Sequence, residues 1–102
     1  MVMDVRDKWD LFQSNGFTLH MEVAEEDNEG AFTGQANVDG KAGFQPIADA
    51  RATDSDFTFL LGNGRYVGNF NNGRLSGITF DNAHPNSQAT WHASKDFGPK
   101  TN

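Results

Sequence analysis

The stretch Gly64-Arg-Tyr-Val-Gly68-Asn-Phe70 is followed three residues later by Gly73-Arg-Leu-Ser-Gly77-Ile-Thr79, and Gly30-Ala-Phe-Thr-Gly34-Gln-Ala36 repeats the pattern upstream. Each phrase opens on a turn glycine, places a large apolar residue two positions on, and a second glycine two positions after that. Side chains alternate faces along a β-strand, so the large residue and the second glycine share one face. A glycine there allows sharp bending and leaves room for a ring from another strand. Repetition of the device predicts strongly coiled antiparallel strands that close into a small barrel.

Turn signals at Asn15-Gly16, Asn28-Glu29-Gly30, Asp39-Gly40, Asn63-Gly64 and Asn72-Gly73 divide the rest of the chain into short runs. Between them the strands are expected near 9–14, 17–24, 31–38, 46–53, 57–61, 65–70, 75–81 and 87–94. That gives an all-β, single-domain, antiparallel up-and-down barrel of about eight strands, with 1–8 and 96–102 as tails. The alanine-rich 46–53 has the poorest β-propensity of the set, and Pro46 is tolerable there at the first position. Alternation puts Phe17, Leu19, Met21 and Val23 inside, with Phe32, Gly34, Ala36, Val38, Phe57, Phe59, Leu61, Tyr66, Gly68, Phe70, Ala89, Trp91 and Ala93. Ala48, Ala50 and Ala52 form a further inward file, opposite Asp49 and Arg51. An eight-stranded barrel either fills itself with side chains or holds one small ligand, and so many small inward residues favour a ligand cavity.

Composition limits the chemistry. The chain has 102 residues, 36% hydrophobic, with nine phenylalanines and eleven glycines, which fits one folded, turn-rich domain. A net charge of −6 opposes nucleic-acid binding. The crowded Glu25, Glu26, Asp27 and Glu29 read as a solvated loop, because they lack the spaced ligands of a calcium loop. Cysteine is absent, which excludes disulfides and thiolate chemistry. Residues 1–9 hold no apolar signal core and no long apolar run follows, so a cytoplasmic protein without membrane contact is expected. A mature domain cut from an exported precursor would look the same.

Several residues resemble the avidin and streptavidin family of calycin-type barrels. Trp9…Ser14-Asn15…Thr18 is similar to that family's first strand and hairpin, and Gly30-Ala-Phe-Thr-Gly34 to its third strand. Asp56-Phe-Thr-Phe59 is similar to the fifth, and Tyr66-Val-Gly-Asn-Phe70 to the sixth. The resemblance spans about residues 9–70. It implies an eight-stranded up-and-down barrel, often dimeric or tetrameric, that binds a small molecule at one open end. The biotin contacts do not carry over. Ser14 matches the hairpin serine, but Leu11, Ala36 and Leu61 stand where the family has asparagine, tyrosine and tryptophan. Asn63 and Gly64 replace its hydroxyl residues. Each unpaired buried polar group costs about 1–3 kcal/mol, so biotin is not the expected ligand.

The reading that follows is non-catalytic binding of a small, largely apolar ligand inside the barrel. Tyr66, Phe70 and Trp91 would be its apolar contacts and Ser14 or Asn15 its polar ones, with neither cofactor nor metal. Two alternatives stand beside it. One is a cofactor-independent cyclase, isomerase or hydrolase using Asp49, Asp81 and His84, the last two close together at a strand end. No nucleophile elbow or phosphate loop supports it. The other is a protein-interaction scaffold. Leu60, Val67, Ile78 and Phe80 fall on the outer face of consecutive strands, and a contiguous patch of them predicts a homodimer.

Overall fold

The computed structural model describes residues 2–100, without the Pro85 side chain. It is all-β. β1 (Met3–Asp4) and β11 (Gly98–Pro99) pair with each other, and the other nine strands form one antiparallel sheet. These are β2 (Asp7–Gln13), β3 (Thr18–Glu26), β4 (Phe32–Val38), β5 (Gln45–Pro46), β6 (Ala48–Ala52), β7 (Asp56–Leu61), β8 (Gly64–Asn71), β9 (Arg74–Asp81) and β10 (His84–Ala93). The order β5-β4-β3-β2-β10-β9-β8-β7-β6 is an up-and-down meander that joins its last long strand to its first.

The sheet curls until its two edges meet. β5 pairs with β4 and β6 with β7, while the Ala31–Arg51 bridge and the Ala52 N–H to Gly30 carbonyl bond of 2.8 Å draw the edges together. The single strand expected over 46–53 is thus two pieces that split one barrel position between them. Asp49 takes a left-handed φ of 48°, and the register against β7 shifts between Ala48 and Arg51. Aspartate tolerates that conformation better than most residues. Ala48 is consequently exposed, and only Ala52 of the alanine file is fully buried.

The motif glycines explain how so small a barrel closes. One cross-strand row reads Phe57 on β7, Gly68 on β8, Gly77 on β9 and Trp91 on β10. A Cβ on Gly68 would stand 2.8 Å from the Trp91 ring, and one on Gly77 would collide with the Val67 carbonyl. With both side chains missing, the rings of β7 and β10 meet over the intervening strands, centroids 5.8 Å apart. Phe57 also touches the rings of Trp9, Phe32, Phe59 and Phe70 at 5.4–6.2 Å. Space left by small residues is filled with aromatic edges, the arrangement such pairs prefer. The small-sided interior is therefore a packed core around Phe57, where the sequence favoured a cavity.

The terminal segments expected as tails plug one end. Val5 is fully buried, Phe97 is buried, and the Trp9 indole donates to the Val5 carbonyl at 3.1 Å. Lys100 N–H bonds the Val2 carbonyl and Met3 N–H the Thr53 carbonyl, which ties both termini to the barrel floor. Met1, Thr101 and Asn102 lie outside the described residues. Among the described residues, no helix is long and apolar enough to cross a membrane.

One strand irregularity changes a charge. β3 shifts register against β4 between Val23 and Glu25, leaving Ala24 exposed and turning Glu26 inward opposite Phe32. Glu26 is only 7% exposed, so this member of the acidic run is not solvated as expected.

Candidate functional site at the open end

At the end away from the termini, β2 and β9 finish and β8 and β10 begin at turns, which leaves a recess of about 400 Å³. Gln13, Asn15, Thr79, Asp81, Ser87 and Gln88 are among its lining residues. Gln13 follows Trp9 and Leu11 on the inward face of β2, and Thr79 follows Leu75 on that of β9. Both are polar residues at core positions, which need partners. They find one in Tyr66. Its ring stacks on Phe59 with centroids 4.6 Å apart, and its hydroxyl accepts a 2.8 Å bond from Gln13 Nε2. The Thr79 hydroxyl donates to the Arg65 carbonyl at 3.0 Å and also lies within hydrogen-bonding reach of the Tyr66 hydroxyl. Burial pushes the Tyr66 phenol up, and the bonds with Thr79 and Gln13 pull it back in part. The result is a polar floor above an aromatic core, open on its outer side.

Two larger hollows lie on the outer wall. One, of about 580 Å³, has Arg51, Thr58, Val67 and Ile78 on its rim, and another, of about 500 Å³, has Lys8, Glu22, Gln35 and Pro46. The recess at the open end differs in having buried, inward polar groups beneath it, the feature that orients a ligand.

The residues expected to bind ligand are spread along the barrel axis. Asn15 lines the open recess, Tyr66 lies at its floor, and Ser14 stands on the adjoining hairpin, where its Oγ accepts the Thr90 N–H at 3.0 Å. Trp91 is central, its indole bonded to the Ile78 carbonyl at 2.8 Å. Phe70 packs near the closed end against Phe97, 6.0 Å away. A single interior pocket of Ser14, Asn15, Tyr66, Phe70 and Trp91 is therefore not what the fold assembles. Gln13 and Thr79 were missed, although an alternation that ends an apolar inward file on a polar residue marks both.

The acid–base candidates do not converge either. Asp49 is exposed on the outer wall, 2.9 Å from Arg65. Asp81 lines the recess, but its Oδ1 accepts the Ala83 N–H at 2.7 Å and so shapes the β9–β10 turn. His84, across that turn, is exposed. Among the described residues no group of histidine, aspartate and glutamate side chains could hold a metal ion. No family model, curated protein or solved structure matches the chain.

Proposed function

We propose that the protein binds a small molecule without catalysis, at the open mouth of the barrel instead of in its interior. The observation that carries this reading is the Gln13–Tyr66–Thr79 group, with Tyr66 and Thr79 buried and Gln13 half-buried at the floor of an open recess. The ligand has a polar head that bonds to the free valences of Gln13, Asn15 and Ser87. The interior rings supply rigidity, which lowers the cost of ordering the site on binding.

An NMR titration with a metabolite panel tests it. Shifts are expected on Gln13, Asn15, Gly64, Thr79 and Gln88, and Gln13→Ala should weaken binding about three- to tenfold, the value of one hydrogen bond. Shifts confined to the outer wall, or no binder in the panel, would reject this site.

A second reading concerns assembly. Ile78 is 38% exposed, and Val67 and Phe80 flank it on the outer wall. Arg65 stands between Leu60 and Phe80 in the cross-strand row, so Leu60 is set apart from the other three. We infer a two-fold pairing of Val67, Ile78 and Phe80 faces. Light scattering on wild type and Ile78→Lys decides it: a dimer that the substitution dissociates is expected, and a monomeric wild type rejects it.

A further inference from the structure

His20 stands on the outer wall of β3 with a carboxylate at each ring nitrogen. Nδ1 is 2.8 Å from Asp10 Oδ1 on β2, and Nε2 is 3.1 Å from Asp39 Oδ1, where the chain leaves β4. An ionised carboxylate only accepts hydrogen bonds, and a neutral imidazole carries a single N–H. Both contacts are hydrogen bonds together only when the ring is an imidazolium. The surrounding charges are Lys8 on β2 and Glu22 on β3, and Glu22 already accepts the Gln35 amide at 3.0 Å. Ser94 and Asn37 are the adjacent polar side chains, on the stretch after β10 and on β4.

Asp39 begins the loop 39–44, and two neighbouring side chains fasten that loop to the wall. His20 holds Asp39, and Asn37 Nδ2 donates to the carbonyls of Lys41 and Gly43 at 2.9 and 2.6 Å. Only the first of these titrates. The Asp39 side chain is 70% exposed against 41% for Asp10, and its contact is the longer one. On losing a proton the ring therefore keeps its bond to Asp10 and gives up Asp39.

We propose that His20 is a pH-sensitive strap for loop 39–44: the imidazolium pins Asp39 to the barrel wall, and the neutral ring releases it. Asp10 and then Asp39 hold the histidine above its ordinary value, so the strap stays fastened past the pH at which a free histidine lets go. It is complete below the ordinary value and is lost as pH rises through the folded one.

The test combines ring nitrogen NMR of His20 with amide hydrogen exchange at Asp39 and Lys41, whose N–H groups bond to Thr18 and Val38. Both ring nitrogens should be protonated at the acid end. Deprotonation should speed exchange about two- to fivefold after correction for intrinsic rates, as expected from loss of one exposed ion pair. Asp39→Ala should give the fast loop at every pH while His20 still titrates, and Asn37→Ala should loosen the loop without removing the pH step. A His20 ring that titrates with no change in loop exchange overturns the proposal. So does a pH step that persists in Asp39→Ala.

Discussion

The two ends of the barrel are built on opposite principles. At the closed end, chain termini become a cover: Val5 and Phe97 are buried, and the Trp9 and Phe97 rings meet at 5.1 Å. At the open end, the same meander stops in turns, with Phe17 on the β2–β3 hairpin left 52% exposed. Apolar closure on one side anchors the cylinder, so the other side does not have to be sealed for the fold to persist. That asymmetry lets polar groups such as the buried Tyr66 and the half-buried Gln13 face an opening, where water or a ligand completes their hydrogen bonds.

The largest expected effect sets the ends directly against each other. Phe97→Ala removes a buried ring wedged against Trp9 and Phe70 and should cost about 3–5 kcal/mol in urea unfolding. Phe17→Ser, on the open-end hairpin, should stay within about 0.5 kcal/mol. Equal losses would mean that the termini do not form a cover in solution.

A smaller effect tests a flaw in that cover. Glu26 Oε1 accepts the Val5 N–H at 2.9 Å, yet its buried Oε2 has no partner among the described residues, and the Lys100 ammonium reaches the Glu26 carbonyl instead. Burial is the main cause that pushes its carboxyl up, with Asp4 adding to it, while the Val5 bond, Lys100 and Arg6 oppose. A raised folded pKa favours the protonated form, so its stabilisation is full below the ordinary glutamate value. It is lost as pH climbs through the folded one. Glu26→Gln should therefore raise stability at neutral pH by about 1 kcal/mol and flatten the acid-side pH dependence. An unchanged pH profile would show that Glu26 is solvated.

Much of this asymmetry was hidden in the sequence, although the barrel was not. Gly68 and Gly77 announce the coiling because a missing side chain leaves a periodic mark, and turn signals separate β2 from β3, β3 from β4, β7 from β8 and β8 from β9. The cover was illegible because Met3–Asp4 and Gly98–Pro99 are too short for alternation, and their pairing spans nearly the whole chain. Glu26 was misplaced by a register shift that inverts the pattern within one strand. The ring-filled interior could not be read from small residues alone, since Trp91 reaches Gly68 across an intervening strand. The His20 contacts join separate strands and a loop, and exposed histidines on outer faces carry no periodic signature.

The smallest effect belongs to the open end. Tyr66 is the chain's single tyrosine, so its phenolate absorbance can be followed without interference from another. Its raised pKa means that the phenol form is favoured in the folded state. The stabilisation is whole below the ordinary tyrosine value and disappears as pH rises through the folded one. Alkaline titration should therefore place the midpoint above that of a free tyrosine, and denaturant should return it to normal. Tyr66→Phe should abolish this alkaline loss and cost only about 0.5–1 kcal/mol at neutral pH. The cost is modest because the Gln13 amide that loses its acceptor lies beside an open recess, where water can replace the hydroxyl. A loss of several kcal/mol would mean a sealed site, and an ordinary midpoint would mean a hydroxyl already in bulk water. Either result would remove the partly buried polar floor that distinguishes this end from the other.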